Sequence, residues 1–178
     1  MAEILPLDAG RIADALQRAG VRYLSGADDG LLALFDPPNA EKPALQATFH
    51  AAGPDGDVLA VRLTVARLFG ADDWPRMLAA MNSWHQDHRW PKGHLEYLPF
   101  QPDWTPLARL VAEHHVSFTA GVHDELLEET IQVALATSLS FLSAICPPPR
   151  VSQESVTTEE LDKWLSDRTS ARLSRHPR

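Results

Sequence analysis

The sequence predicts an α+β fold in which three helices cover an antiparallel sheet of about five or six strands, in the order α-β-β-β-β-α-β-β-α. Three segments repeat apolar residues at helical spacing, and the segments between them alternate apolar with polar residues. Gly, Pro and Asp separate these segments. Helices that are segregated from an antiparallel sheet define this fold class. A chain of 178 residues with 44% hydrophobic content can bury one such core.

The first half of the chain predicts one helix and four strands. Residues 8–19 favour a helix because Asp8 can cap its start and Gly20 can end it in a left-handed conformation. Apolar runs at 21–24 and 31–35 flank an Asp-Asp-Gly turn, which indicates a hairpin. Two alternating segments within 45–66 follow. Each is predicted to be a strand with one face on the core.

A second helix and two further strands are predicted in the middle of the chain. Asp72 can cap this helix, Pro75 fits its first turn, and Pro91 cannot continue it. Its apolar stripe comprises Trp74, Met77, Leu78, Met81 and Trp84. A short strand around residues 95–97 and a longer one at 107–118 are expected next, separated by a loop.

The third helix is predicted at residues 123–145, with acidic residues in its first turns, where the helix dipole favours them. Three consecutive prolines stop it. We therefore expect a folded domain at 1–149 and a mobile tail at 150–178, rich in Ser, Thr and charge. Within the tail, residues 157–160 match a capping box, and the apolar residues that follow permit a short helix.

Composition argues against several classes of function. A net charge of -8 and a pI near 5.4 oppose binding to the phosphates of nucleic acid. The one cysteine, Cys146, cannot form an intramolecular disulfide, and no secretion signal is evident, so a cytoplasmic location is expected. The apolar stretch at 131–145 is too short and too polar to span a membrane, which takes about 20 apolar residues.

Histidine is the residue type most suggestive of a chemical site. His85 and His88 are three apart on the second predicted helix, so their rings share a face and are candidate metal ligands. The usual zinc motifs, His-Glu-x-x-His and paired cysteines, are absent from the sequence. A structural role at the helix end is therefore favoured, and no cofactor is predicted. The alternative is a metal-binding hydrolase or a metal or pH sensor that also uses His94, His114, His115 and His123.

No set of catalytic residues can be assigned from the sequence. Glu113 and His114 project from opposite faces of a strand, so the two cannot share a ligand. His123 could act as a base oriented by Asp124, but no nucleophile can be assigned by spacing, and Asp124 is better explained as a cap or first-turn carboxylate. Cys146 lies at a helix C-terminus, where the dipole does not activate a thiol. An enzyme is not predicted.

The third predicted helix is apolar over more of its circumference than packing on a sheet requires. Either it is deeply buried or its far side meets another subunit, which would give a homodimer through residues 123–145. Tryptophans in turns and in the tail are further candidates for contact with a protein partner. The candidate partner-binding residues are Trp90, Trp104, Leu126, Val133, Leu135, Leu139, Leu142 and Trp164.

Several short motifs in the chain resemble the YbjN-domain proteins of bacteria, particularly the actinobacterial type. They are MNSWH at 81–85, RWPK at 89–92, LVAEH at 110–114 and AGV at 120–122. The resemblance covers residues 5–145. It implies a fold similar to type III secretion chaperones, which often dimerise and bind extended partner segments, and a role as a sensory transduction regulator without defined catalytic residues. The predicted function is a non-catalytic protein-interaction module, chaperone-like or a regulatory adaptor in bacterial signalling, whose protein partner is unknown.

Overall fold

The computed structural model describes residues 3–26, 30–36, 43–98 and 106–146. The predicted tail at 150–178, with Trp164, and the loop residue Trp104 lie outside these described residues. The predicted element order is confirmed. The helices are α1 (Ala9–Arg18), α2 (Trp74–Asp87) and α3 (Asp124–Ile145), and the strands are β1 (Leu24–Ser25), β2 (Leu31–Phe35), β3 (Leu45–Ala52), β4 (Val58–Gly70), β5 (Lys92–Tyr97) and β6 (Leu107–Ser117).

The six strands form one antiparallel sheet in the order β1-β2-β3-β4-β6-β5. The last strand in sequence, β6, lies between β4 and β5, so β5 becomes an edge strand. The long strand β4 pairs with β3 along one side and with β6 along the other, with a register shift between Thr64 and Leu68. A shift of this kind bends the strand and increases its twist.

The three helices pack on one face of the sheet. On β4 this face carries Leu59, Val61 and Leu63, which are fully or almost fully buried. Helix α3 lies across β4 and β6, α1 packs against β3 and α3, and α2 packs against α3 and β5. The opposite face carries Arg62, because side chains alternate along a strand. We call this second face the Arg62 face.

Side-chain caps mark the start of α1 and α3, whereas the N-cap residue of α2 makes no side-chain capping hydrogen bond. The Asp8 carboxylate accepts a hydrogen bond from the Arg11 backbone N–H at 2.8 Å, as the sequence predicted. Helix α2 follows Asp73, one residue later than the cap predicted at Asp72. The cap of α3 is His123, whose Nδ1 accepts a hydrogen bond from the Leu126 backbone N–H at 3.2 Å.

Two of the residues predicted to contact a partner are instead part of the core. Leu135 and Leu142 of α3 are buried, so the prediction that they face another chain is wrong. The reason is helical periodicity. Leu135 and Leu142 each follow a buried residue, Ile131 and Ser138, by four positions, so both lie on the core-facing stripe of α3.

Candidate functional site

Aromatic and histidine rings cluster where α2 ends and β5 begins. The Trp84 ring stacks on His88, with centroids 4.0 Å apart, and meets Phe141 of α3 edge-on at 5.6 Å. The indole N–H of Trp84 donates a hydrogen bond to the carbonyl oxygen of Trp90 at 3.3 Å. These contacts join the end of α2, the turn that follows it, and α3 into one unit.

A glycine allows α3 to approach β5 in this cluster. A Cβ atom built on Gly93 would lie 2.0 Å from Cζ of Phe141, which is fully buried. The imidazole of His85 lies over the same ring, with centroids 6.1 Å apart, and its Nε2 accepts a hydrogen bond from the Gly93 backbone N–H at 3.4 Å. Only glycine leaves room for this packing.

His114 is a buried histidine that joins the sheet to α3. Its Nε2 lies 3.1 Å from Oγ1 of Thr137, and the Trp90 ring stacks on it at 5.4 Å. The Thr137 hydroxyl already donates to the Val133 carbonyl at 2.7 Å, so we assign the proton of the other bond to Nε2. Burial, with a smaller effect from the charge of His115, lowers the pKa of His114 to about 4.

We predict that neutral His114 makes stability depend on pH. The pKa of His114 falls from 6.5 in a model compound to about 4 in the fold, so the unfolded chain binds a proton that the folded chain does not. The stabilisation is complete above about pH 6.5 and is lost as the pH falls towards about 4. Urea unfolding at about pH 7 and pH 4.5 measures this loss. On acidification, the free energy of unfolding of the wild type should fall by about 2 kcal/mol more than that of H114Q.

Urea unfolding of H88Q at the same two pH values provides the control, because His88 is exposed at the end of α2. His88→Gln should leave the difference between the two pH values unchanged. An H114Q protein that loses as much stability as the wild type on acidification would show that His114 is not the group responsible.

The candidate metal ligands His85 and His88 both contact other groups of the chain. Nε2 of His85 accepts a hydrogen bond from the Gly93 backbone N–H. Nδ1 of His88 lies 3.2 Å from the Trp84 carbonyl oxygen. Within 3–26, 30–36, 43–98 and 106–146, no group of three or more His, Cys, Asp or Glu could hold an ion. Burial raises the pKa of the Cys146 thiol, which disfavours a nucleophilic thiolate.

The edge strand β5 presents backbone groups away from the sheet. The Leu98 N–H donates to Leu107 of β6 at 3.0 Å, whereas the Gly93 N–H points towards α2. Antiparallel strands alternate between residues that bond to the neighbour and residues that face outward. Both observations therefore place the N–H and C=O groups of Leu95 and Tyr97 on the outer side of β5.

Helix α2 runs antiparallel to this edge. Trp74, in its first turn, contacts the ring of Tyr97 at the end of β5, with centroids 4.9 Å apart. His85, near the end of the helix, contacts Gly93 near the start of the strand. Between these two contacts α2 exposes Leu78, and the Tyr97 side chain is also exposed.

The side of α3 that points away from the sheet carries three exposed apolar residues, which we call the outer flank of α3. Their side chains are 40%, 53% and 37% exposed in the order Leu126, Val133 and Leu139. No charged residue occurs in α3 after Glu129. Small residues lie between the apolar ones: Ala136 and Ser140 are both exposed.

The Arg62 face is polar. Nη2 of Arg62 contacts a carboxylate oxygen of Glu96 at 2.7 Å, and its Nη1 contacts Glu113 at 3.4 Å. These groups come from three adjacent strands, β4, β5 and β6. Because the pairs are only partly buried, we expect each to contribute little to stability.

Comparison with known proteins identifies the family. The family model named YbjN, described as "Putative bacterial sensory transduction regulator", matches residues 8–147. The chain belongs to the YbjN family. Its fold is similar to the crystal structure of YbjN from E. coli, with a TM-score of 0.59 and 14% sequence identity, over 80% of this chain and 94% of that chain. No curated protein matches the sequence.

The family assignment confirms the resemblance inferred from the motifs at 81–122. At 14% identity the E. coli YbjN structure supports the fold alone. Among the helices described, none is long and apolar enough to cross a membrane.

The structure separates the predicted site residues into different places. Trp90 stacks on His114 with about half of its ring exposed, whereas Leu126, Val133 and Leu139 lie on the outer flank of α3. The outward backbone of β5 was not predicted, because no side-chain pattern reveals it. Gly93 was not predicted either, although an isolated glycine within a strand is a signal for close approach.

Proposed function

We propose that this YbjN-family protein is a non-catalytic regulatory module that acts by binding polypeptides and that assembles as a homodimer through the outer flank of α3. The observation that carries the proposal is an exposed helix surface that bears no charge beyond Glu129, on a protein with a net charge of -8. A cytoplasmic location belongs to the same proposal.

A second copy of the chain is the occupant that the charge distribution favours. Two copies repel each other through their net negative charge, and the repulsion is weakest where neither surface is charged. The outer flank beyond Glu129 meets this condition. Its apolar side chains would leave water on association, a gain of about 25 cal/mol per Å2 before the costs of association.

The order of residues along α3 favours an antiparallel pair of helices. All four acidic residues of α3 lie in its first two turns, and the remaining turns carry no charge. Antiparallel pairing places the acidic turns of one helix beside uncharged turns of the other, whereas parallel pairing would align like charges. Ala136 and Ser140, near the middle of the contact, would let the two helices approach closely.

We predict that V133E converts the protein from a dimer to a monomer. Each dimer would contain two buried carboxylates without partners, and a single uncompensated charge costs about 3 kcal/mol or more. The dissociation constant should rise by roughly a hundredfold or more. Sedimentation velocity of the full chain over a range of concentrations measures this change, and circular dichroism checks that the variant is folded.

The matched control is Q17E, which adds the same charge at an exposed position of α1. It should sediment as the wild type does. A wild-type protein that remains monomeric at high micromolar concentration would contradict the proposal. A V133E dimer as tight as the wild-type dimer would also contradict it.

A further inference from the structure

We propose that His50 and His115 form a binding site for a divalent transition-metal ion of the zinc type on the Arg62 face of the sheet. The two imidazoles hold the ion above Ala60, and water completes its coordination. This site goes beyond the proposed polypeptide-binding function, and it lies on the face of the sheet opposite to the helices.

The register of the strands places the two histidines on either side of one alanine. His50 of β3 and His115 of β6 are both directly opposite Ala60 of β4. Residues that oppose each other in an antiparallel pair share one side of the sheet, so all three side chains lie on the Arg62 face. Because neighbouring strands are about 4.8 Å apart, the Cα atoms of the two histidines are about 10 Å apart.

The small side chain of Ala60 leaves the space between the two imidazoles open. Its residue is only 2% exposed, although the helices pack on the other face, so neighbouring side chains enclose it. Zinc–nitrogen bonds are about 2 Å long, so an ion between the rings needs two ring nitrogens about 4 Å apart or less. Imidazoles that lean towards each other over the methyl group can reach this distance.

The two histidines are accessible and influence each other electrostatically. Both are exposed, so an ion can reach them from solvent. Partial burial, with a smaller effect from the charge of His115, lowers the pKa of His50. The neutral imidazole of His50 therefore predominates at neutral pH, and this is the form that binds metal.

The charges near the site are compatible with a bound cation. Arg62 is the next residue after Ala60 on this face of β4, and it is paired with Glu96 and Glu113. The positive charge of Arg62 is thus offset by two carboxylates. The protein as a whole has a net charge of -8, which raises the concentration of cations around it.

The ligand type determines which ions the site favours. Imidazole nitrogen suits zinc, copper and nickel, whereas magnesium and calcium take oxygen ligands. Structural zinc sites use four protein ligands, so an ion that is held by two histidines keeps positions for water or for a side chain of a partner. Occupancy of such a site follows the concentration of the metal ion.

The test is a calorimetric titration of the full chain, purified without a histidine tag, with zinc chloride. H50Q and H115Q should each raise the dissociation constant about tenfold or more, because the loss of either ligand ends chelation. The double variant should be little weaker than either single variant, since the two ligands act as one unit. H88Q removes an exposed histidine of the α2 end and should leave the affinity unchanged. Magnesium chloride should give no heat of binding.

NMR signals of the histidine ring nitrogens locate the ion in the wild type. Zinc should shift the ring signals of His50 and His115 together and leave those of His88 in place. No zinc binding by the wild type, or unchanged affinity in H115Q, would overturn the proposal. Losses that add in the double variant would also overturn it, because each histidine would then bind an ion separately.

The outcomes distinguish the metal site from the α3 dimer. V133E changes the outer flank of α3 and none of the proposed ligands, so it should bind zinc with the affinity of the wild type. A V133E monomer that binds zinc supports both proposals. Loss of zinc binding in H50Q and H115Q together with a wild-type monomer would support the metal site and refute the dimer.

Discussion

Replacing Gly93 by alanine should destabilise the protein by about 3 kcal/mol or more, at or beyond the upper end of the usual cost of overpacking a core, because the new atom meets a rigid ring. The new Cβ would lie 2.0 Å from Cζ and less than 3 Å from two further carbons of the Phe141 ring. The ring has little room to retreat, because Trp84 packs edge-on against it and His85 stacks on it. Urea unfolding of G93A and the wild type measures the loss.

A double-mutant cycle tests the cause of this loss. F141L removes the three ring carbons that the new Cβ would meet, so G93A should cost much less in that background than in the wild type. The control is G70A in β4, where an added Cβ meets nothing within 4 Å. It should change the free energy of unfolding by less than about 1 kcal/mol. If G93A proves as stable as G70A, the close approach of α3 to β5 is not as tight as the structure shows.

Local sequence patterns were sufficient to predict the elements of this fold, but not their arrangement in the sheet. The alternation in β3 and β4 and the caps at Asp8 and Gly20 depend on neighbouring residues only, and these predictions are confirmed. The placement of β6 between β4 and β5 depends on pairing between distant segments. No local period encodes such pairing, so the exposed edge at β5 could not be anticipated.

The candidate site was predictable only where one element determines it. The sequence showed that α3 is apolar over a broad arc, but Leu135 and Leu142 of that arc are buried in the core. Both lie four residues after a buried position, whereas Val133 lies on the other side of the helix and is exposed. The inward position of His114 followed from strand alternation, whereas its bond to Thr137 depends on how α3 crosses the sheet.

Arg11 links the N-terminal segment to the start of α3 through hydrogen bonds and an ion pair. Its replacement should lower the free energy of unfolding by more than any other change except G93A. Its guanidinium donates to the carbonyl oxygens of Leu5 at 2.7 Å, Pro6 at 2.9 Å and Val122 at 2.7 Å. It also pairs with the Asp124 carboxylate at 2.6 Å and holds the pKa of that group below its usual value. The Arg11 side chain is only 12% exposed, so water cannot readily replace these bonds.

We predict that R11M lowers the free energy of unfolding by about 2 to 3 kcal/mol, because charge-assisted hydrogen bonds to three carbonyls are lost together. R11K keeps the charge but cannot reach so many acceptors, so it should recover less than half of the loss. The comparison is R18M, which removes an arginine paired with Glu128 on a more exposed surface and should cost less than about 1 kcal/mol. Equal urea midpoints for R11M and R18M would mean that the carbonyl contacts of Arg11 do not stabilise the fold.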